Sequence, residues 1–436
     1  MIDLGRDREK AILVGLHTDR TDTRIWKLAF EELTGLVETA GARVVASLVQ
    51  NRSEADPATY IGKGKLQELT ALAEELEADI IVFDSELTPV HVRNLENCLP
   101  CKVLDRTQII LDIFAERAKT KEGKLQVELA QLSYLMPRLS GKGKAMSRLG
   151  GGIGTRGPGE TKLEIDRRRI RGKIADLKTE LREVRLHRST QRQRRKKQQV
   201  PVIALVGYTN AGKSTILHAL TERFGAGSQT TAEGQNRLFD TLDPTARKIG
   251  LPQGGTVIVT DTVGFIQQLP HHLIDSFRAT LEETNEADVL LHIVDASHPA
   301  HDIQMDTVYQ VLNELHVLDK PIITVFNKMD YLNGEFLPDD PKALYTVKMS
   351  ALNGNGLPQL MQAIDSCINT KSQHMSVILP YDEGSLTSAL HERCKVYQQR
   401  FLENGIYLDL DAVPELAKQL ERFQVNPEIL EKENKV

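Results

Sequence analysis

An apolar run, Val202-Ile203-Ala204-Leu205-Val206, ends in Gly207-Tyr208-Thr209-Asn210-Ala211-Gly212-Lys213-Ser214 and passes into Thr215-Ile216-Leu217. This sets the pattern GxxxxGK[ST] between a predicted strand and a predicted helix, the context in which it cradles phosphates. Gly207 and Gly212 allow backbone N–H groups to turn inward on phosphate oxygens, and a helix starting near Lys213 adds the positive end of its dipole. The Lys213 ammonium is placed to bridge a β- and a γ-phosphate. The Ser214 hydroxyl suits Mg²⁺, a small hard ion that takes few protein oxygens and leaves its other positions to water and phosphate. Tyr208, Thr209, Asn210, Ala211 and Thr215 complete the cradle.

A second apolar run, Thr256-Val257-Ile258-Val259-Thr260, delivers Asp261-Thr262-Val263-Gly264 at its end. This resembles the DxxG of G domains. Asp261 would hold the hydration shell of the magnesium, and the Gly264 N–H would contact the γ-phosphate, so losing that phosphate would release the following segment. Between the two motifs, Leu238-Phe239-Asp240-Thr241-Leu242-Asp243-Pro244-Thr245 must supply one threonine hydroxyl to the metal, and spacing alone leaves Thr241 and Thr245 both open. After a further apolar strand come Asn327-Lys328-Met329-Asp330, where the Asp330 carboxylate offers two acceptors that match guanine N1–H and its exocyclic amine but not adenine. Asn327 would tie this loop to the phosphate loop, and the Lys328 stem would lie along the base. Ser350-Ala351-Leu352 resembles the SA motif, with the Ala351 N–H toward guanine O6. Taken in order, the motifs resemble a P-loop GTPase domain that binds GTP and GDP, with Lys213, Thr241 and Gly264 nearest the chemistry.

Two positions bear on rate. Many hydrolytic GTPases place a water-orienting glutamine directly after DxxG, but Phe265 stands there, and a phenyl ring cannot orient water. Slow unaided hydrolysis, stimulated by a bound partner, is expected. Asn210 resembles the asparagine that coordinates K⁺ in potassium-dependent GTPases.

The elements that must carry these residues are legible in outline. Candidate strands at Ala11–Leu16, Arg43–Val49, Ile80–Phe83 and Lys102–Leu104 alternate with helical patterns over Trp26–Ala40, Leu66–Leu76 and Val90–Leu99, which predicts a small parallel α/β domain over residues 1–104. Its loop Tyr60–Lys65 reads either as a phosphate contact or as a flexible basic turn. From Leu104 the pattern turns to sustained helix, with a seam at Leu111, Phe114, Ala118, Leu125, Leu129, Leu132, Met136 and Leu139. A second seam follows at Leu163, Ile170, Ile174, Leu177, Leu181 and Val184. Two such stripes predict an antiparallel coiled-coil hairpin over 105–199. The G domain spans 200–372. A small C-terminal α/β domain spans 373–436, with a strand near Val377–Tyr381, a helical stretch through Leu386, Leu390 and Val396, a strand at Ile406–Leu410 and a disordered tail around Glu431–Lys435.

Composition narrows the partners. Net charge is −5 over 436 residues, yet Asp166–Gln199 holds fourteen Lys/Arg against four Asp/Glu, about +10 in one stretch. The loop at the hairpin's tip, residues 140–160, is rich in glycine and carries Lys142, Lys144, Arg148 and Arg156. It reads as an RNA contact or as a solvated hinge. No apolar run has the length to span a bilayer and the N-terminus shows no secretory pattern, so a cytoplasmic protein is expected; it is also expected to be monomeric when free. Cys98 and Cys101 lack a second pair or a histidine at zinc spacing and read as reduced thiols.

With hairpin and G domain read together, the sequence resembles the HflX family of ribosome-associated GTPases. The matching residues are Gly150 through Lys162 (GGGIGTRGPGETK), Gly207–Thr215, Thr241-Leu242-Asp243-Pro244-Thr245, Asp261–Phe265 and Asn327–Asp330. The TLDPT pattern assigns the magnesium hydroxyl to Thr241. Phe265 also fits the family. The resemblance implies binding to the large ribosomal subunit, with the hairpin loop on ribosomal RNA, and splitting of stalled or idle ribosomes under heat stress. A ribosome-assembly or RNA-modification GTPase would share the nucleotide motifs, and a non-hydrolysing RNA scaffold is a remote third reading.

Overall fold

A computed structural model of the protein describes residues 8–139, 162–198, 200–225, 245–252, 254–267, 284–332, 339–369, 373–412 and 414–425. The hairpin loop 140–160, Leu238–Pro244 with Thr241, and the C-terminal tail lie outside the described residues.

The N-terminal layer is a parallel sheet in the order β2-β1-β3-β4, formed by β1 (Lys10–Thr18), β2 (Arg43–Arg52), β3 (Ile80–Phe83) and β4 (Lys102–Asp105). Parallel neighbours need crossovers, and α1 (Thr23–Thr39), α2 (Lys63–Glu75) and α3 (Pro89–Glu96) supply them. Side chains cap three of the helices, Asp22 on α1, Thr88 on α3 with Pro89 as first residue, and Asp105 on α4 (Arg106–Arg117), whereas α2 starts at Gly62 without a side-chain cap. The Tyr60–Lys65 loop is anchored, because the Gly62 N–H donates to Gln50 Oε1 at 2.9 Å and Tyr60 Oη to Asp84 Oδ1 at 2.9 Å.

The sustained helix expected from Leu104 is two helices. Ala118 adopts an extended backbone, and Thr120 then caps α5 (Lys121–Arg138). The cause is packing. Ile109, Ile110, Leu111, Ile113 and Phe114 of α4 are all buried in the N-terminal core, as in a helix apolar around most of its surface. Only the later members of the seam meet the second helix: Leu125, Leu129 and Leu132 pack against Ile174, Leu177 and Leu181 of α6 (Lys162–Gln198). The pairs Lys121–Glu180 and Lys173–Glu128 run in opposite senses along the two helices, so the hairpin is antiparallel as expected.

The G domain is built on a six-stranded sheet in the order β10-β9-β8-β5-β7-β6, parallel except for β6 (Thr245–Gly250), which runs against β7 (Thr256–Asp261). The strand of the phosphate loop, β5 (Val202–Gly207), lies inside the sheet between β7 and β8 (Val289–Asp295). Beyond β8 come β9 (Ile322–Asn327) and β10 (Tyr345–Lys348). Helices α7 (Lys213–Phe224), α8 (His301–Glu314) and α9 (Leu357–Asn369) belong to the same domain.

A three-stranded antiparallel sheet, β11 (Gln373–Leu379), β13 (Gly405–Ala412) and β12 (Lys395–Leu402), forms the C-terminal layer with α10 (Gly384–Arg393) and α11 (Pro414–Leu420). Here Val396 departs from expectation: it lies in β12 rather than in the helix, which ends at Arg393. The run KVYQQRFL pairs with β13 across the short turn at Glu403-Asn404, and that tertiary pairing overrides the apolar spacing. No helix among the described residues is long and apolar enough to cross a membrane.

Leu177 is 4 % exposed in the hairpin seam, so Leu177→Ala should cost about 2–3 kcal/mol of local stability. Hydrogen exchange should then quicken in α5 and α6 while the G-domain strands keep their protection; equal loss in both would contradict an autonomous seam.

Candidate nucleotide site

Every predicted nucleotide residue within the described segments lies at the carboxyl edge of the G-domain sheet, where open α/β sheets place their ligands. Gly207 ends β5, Asp261 ends β7 and Asn327 ends β9. The loop Tyr208–Gly212 turns back over β5 to start α7, with Asn210 left-handed at φ 60° and Gly212 at φ 96°. A side chain on Gly212 would meet Asn327 Nδ2 at 2.2 Å, so this close approach requires glycine.

Two ladder bonds join the phosphate loop to the segment after β7. The Thr209 N–H donates to the Phe265 carbonyl at 2.8 Å, and the Phe265 N–H donates to the Gly207 carbonyl at 3.1 Å. They hold Gly264 against the loop, where a Cβ would lie 2.8 Å from Thr209 Cα and 2.9 Å from Lys213 Nζ. Thr262 locks the strand end through Oγ1 to the Leu205 carbonyl at 2.6 Å.

Lys213 is buried, with Nζ donating to the carbonyls of Gly207 at 3.0 Å and Tyr208 at 2.7 Å. Burial lowers its pKa to about 8, against the opposing pull of Asp261. The Ser214 hydroxyl donates to Asp261 Oδ2 at 2.8 Å. Thr245, the competitor to Thr241, opens β6 and faces Asp261 across the antiparallel ladder.

The base side is organised by Asn327. Its Nδ2 donates to the Ala211 carbonyl at 2.9 Å, and its Oδ1 accepts the Ala351 N–H at 2.9 Å, so one buried amide ties the phosphate loop to the Ser350–Leu352 turn. The Ala351 N–H, expected at guanine O6, is thus also within the reach of Asn327. Lys328 takes a left-handed backbone, φ 62°, and its Nζ donates to Asp295 Oδ2 at 2.7 Å, which holds the stem in place. Met329 and Asp330 form a short 3-10 turn with Asp330 exposed, and the Met329 N–H donates to the Met349 carbonyl at 3.2 Å.

Phe265 is buried among Ala204, Tyr208 and Leu290, so its ring serves the G-domain core. Val263 and Ile266 on either side of it pack instead into the core of the N-terminal layer, beside Leu33, Ile110 and Phe114. Next to them is a network that motif reading missed: Glu32, Arg106, Tyr208 and Gln267. Its sequence signal was a charge on an apolar stripe, since Glu32 shares the buried face of α1 with Leu28, Ala29, Leu33 and Leu36. Burial raises the Glu32 carboxyl above its usual range, opposed by the Arg106 guanidinium.

This fold and edge geometry define a P-loop GTPase. Three family models match along the chain: a GTP-binding GTPase N-terminal region over residues 27–115, a GTP-binding GTPase middle region over 117–195 and a 50S ribosome-binding GTPase over 202–328. The chain is 47% identical over 426 residues to the GTPase HflX of Caldanaerobacter subterraneus subsp. tengcongensis, covering 98% of this chain and 96% of that protein. It is 46% identical over 421 residues to the GTPase HflX of Lacrimispora saccharolytica, covering 96% and 97%. To the GTPase HflX of Alkalihalophilus pseudofirmus it is 47% identical over 399 residues, covering 92% of each. The chain belongs to the HflX family of GTPases.

Replacing Asn327 by Ala strands the buried Ala211 carbonyl and Ala351 N–H together. A loss of about 1–3 kcal/mol in stability is expected, with weaker GDP binding measured by a fluorescent analogue. Unchanged GDP affinity in the folded variant would separate Asn327 from the nucleotide.

Proposed function

We propose that this GTPase binds the large ribosomal subunit, that the hairpin loop at 140–160 touches ribosomal RNA, and that the GTP-bound form splits stalled or idle ribosomes, under heat stress among other conditions. In this account it acts in the cytoplasm and is monomeric when free. The observation that carries it is the burial of Val263 and Ile266 in the N-terminal core. The segment that would respond to a γ-phosphate is packed into the layer from which the hairpin extends, so nucleotide state and hairpin share one mechanical path. The likeness to a 50S ribosome-binding GTPase model supplies the partner. On α6, Arg168, Arg169, Arg171, Lys173, Lys178 and Arg182 are exposed, which suits a phosphate backbone.

At the nucleotide, Lys213 neutralises the β- and γ-phosphates, loop N–H groups from Tyr208 to Thr215 cradle them, and the Gly264 N–H meets the γ-phosphate. Ser214 and Asp261 present hard oxygens 2.8 Å apart, a donor set that fits Mg²⁺, with Thr241 as a further ligand. When bound, the metal offsets negative charge on the phosphates. Asp330 reads guanine, flanked by Asn327 and the Ser350–Leu352 turn. Asn210, at the apex of the loop, is the residue for K⁺. With Phe265 in the core, the site holds no water-orienting glutamine directly after DxxG, which accounts for dependence on the ribosome.

Asp330→Ala should lower GTP affinity at least about a hundredfold and abolish the preference over ATP in competition binding; retained preference would refute the assignment. Large subunits should accelerate GTP hydrolysis, and replacing residues 150–159 should remove the stimulation while leaving basal turnover. Sedimentation of whole ribosomes with the GTP-bound protein should show separated subunits; binding to the large subunit without separation would favour an assembly role. Hydrolysis should run faster in potassium than in sodium buffer, and equal rates would remove Asn210 from cation binding.

A further inference from the structure

We propose that the buried Glu32–Arg106 pair is a positioning device that links the γ-phosphate-responsive segment to the N-terminal layer, with Tyr208 of the phosphate loop as its joint. The proposal rests on the reading of Asp261–Gly264 given above. Arg106, the first residue of α4, is 2 % exposed and donates through Nη2 to Glu32 Oε2 at 2.6 Å. Its Nη1 donates to the Ala29 carbonyl at 2.8 Å, so α1 holds the guanidinium at two points.

The same groups reach across to the G domain. Arg106 Nη2 donates to the Gln267 carbonyl at 3.1 Å. The Gln267 N–H donates to Tyr208 Oη at 2.8 Å and lies 3.3 Å from Glu32 Oε2, and Tyr208 Oη donates to Glu32 Oε2 at 3.1 Å. Both backbone polar groups of Gln267, a short step beyond Gly264, are therefore bound to the pair or to the tyrosine it holds. The Gln267 side chain is engaged too, its Nε2 donating to Thr307 Oγ1 on α8 at 2.6 Å.

Charge is the informative choice here. A buried ion pair seldom stabilises more than well-packed apolar side chains of equal volume, but it is directional, and losing its register strands charge. A displacement of Gly264 toward a γ-phosphate moves the Gln267 peptide. The pair must then carry α1 and α4 with it or release it, which gives two discrete arrangements rather than a graded one. Tyr208 lies inside the phosphate loop itself, so a single hydroxyl registers both the loop and the responsive segment. By linkage, whatever the pair contributes differently to the two nucleotide states appears in their relative affinities.

Two variants test this: Glu32→Leu with Arg106→Met, which leaves no unpaired buried charge, and Tyr208→Phe, which removes one hydroxyl and keeps the packing. Affinities for GDP and a non-hydrolysable GTP analogue are measured with magnesium, together with hydrogen exchange of α1 and α4 in each complex. In the wild type, exchange in α1 and α4 should differ between the two nucleotides. In both variants that difference should vanish, and the ratio of the two affinities should shift at least about fivefold. A purely structural pair would lower stability and leave the ratio and the exchange difference intact, which would overturn the proposal. Wild-type protein that binds GDP and the analogue with identical exchange would overturn it as well. Failure of the wild type to bind guanine nucleotides would instead remove the reading beneath it. Should the paired variant not fold, an unchanged ratio and exchange difference in Tyr208→Phe is sufficient to refute it.

Discussion

A positive charge held out of water is the constraint from which the G domain's arrangement follows. Lys213 Nζ is surrounded by the carbonyls of Gly207 and Tyr208, with Asp261 near enough to oppose the desolvation without cancelling it. Such an ammonium is a costly thing to bury without an anion. The glycines, the left-handed turn at Asn210 and the ladder to Phe265 all serve to bring further N–H groups and Gly264 to the same point. The site is built around an expected negative charge.

From there the architecture divides one short segment between two bodies. Phe265 belongs to the G-domain core, Val263 and Ile266 to the N-terminal core. Val263 and Phe265 are two positions apart and would share a face in a regular strand, so this division depends on the irregular backbone between the end of β7 at Asp261 and the bridge at Phe265. It has a mechanical consequence: the residues around Gly264 cannot move relative to one layer without disturbing its packing. The hairpin belongs to the same body, because Val127, Ala130 and Tyr134 of α5 are buried in the core that also takes Val263 and Ile266.

The nucleotide motifs were legible because their chemistry is local: glycine placement, a lysine, and carboxylates at strand ends are set by a few consecutive residues. The strands of the N-terminal sheet were legible for the same reason, as apolar runs between helical patterns. What escaped was set by tertiary contact. The break at Ala118 is invisible in a seam whose spacing continues through it, because α4 spends its apolar residues on the N-terminal core. The apolar spacing at Val396 suits a helix, but pairing with β13, not local preference, makes β12. Glu32 and Arg106 carry no motif at all, and their partner Gln267 lies 235 positions from Glu32. Only the misplaced charge on α1 hinted at them.

The burial of Lys213 has one direct thermodynamic signature. With a pKa near 8 in the free protein, the lysine is largely neutral at pH 9, while phosphates beside it hold it charged. Binding must therefore draw a proton from solution, and affinity must weaken as pH rises through that range. Calorimetry of GDP binding at pH 9, in buffers of different ionisation enthalpy, measures that proton count. Net proton uptake, abolished by Lys213→Met, is the result predicted here; binding with no uptake would contradict a phosphate-facing lysine whose charge is suppressed by burial.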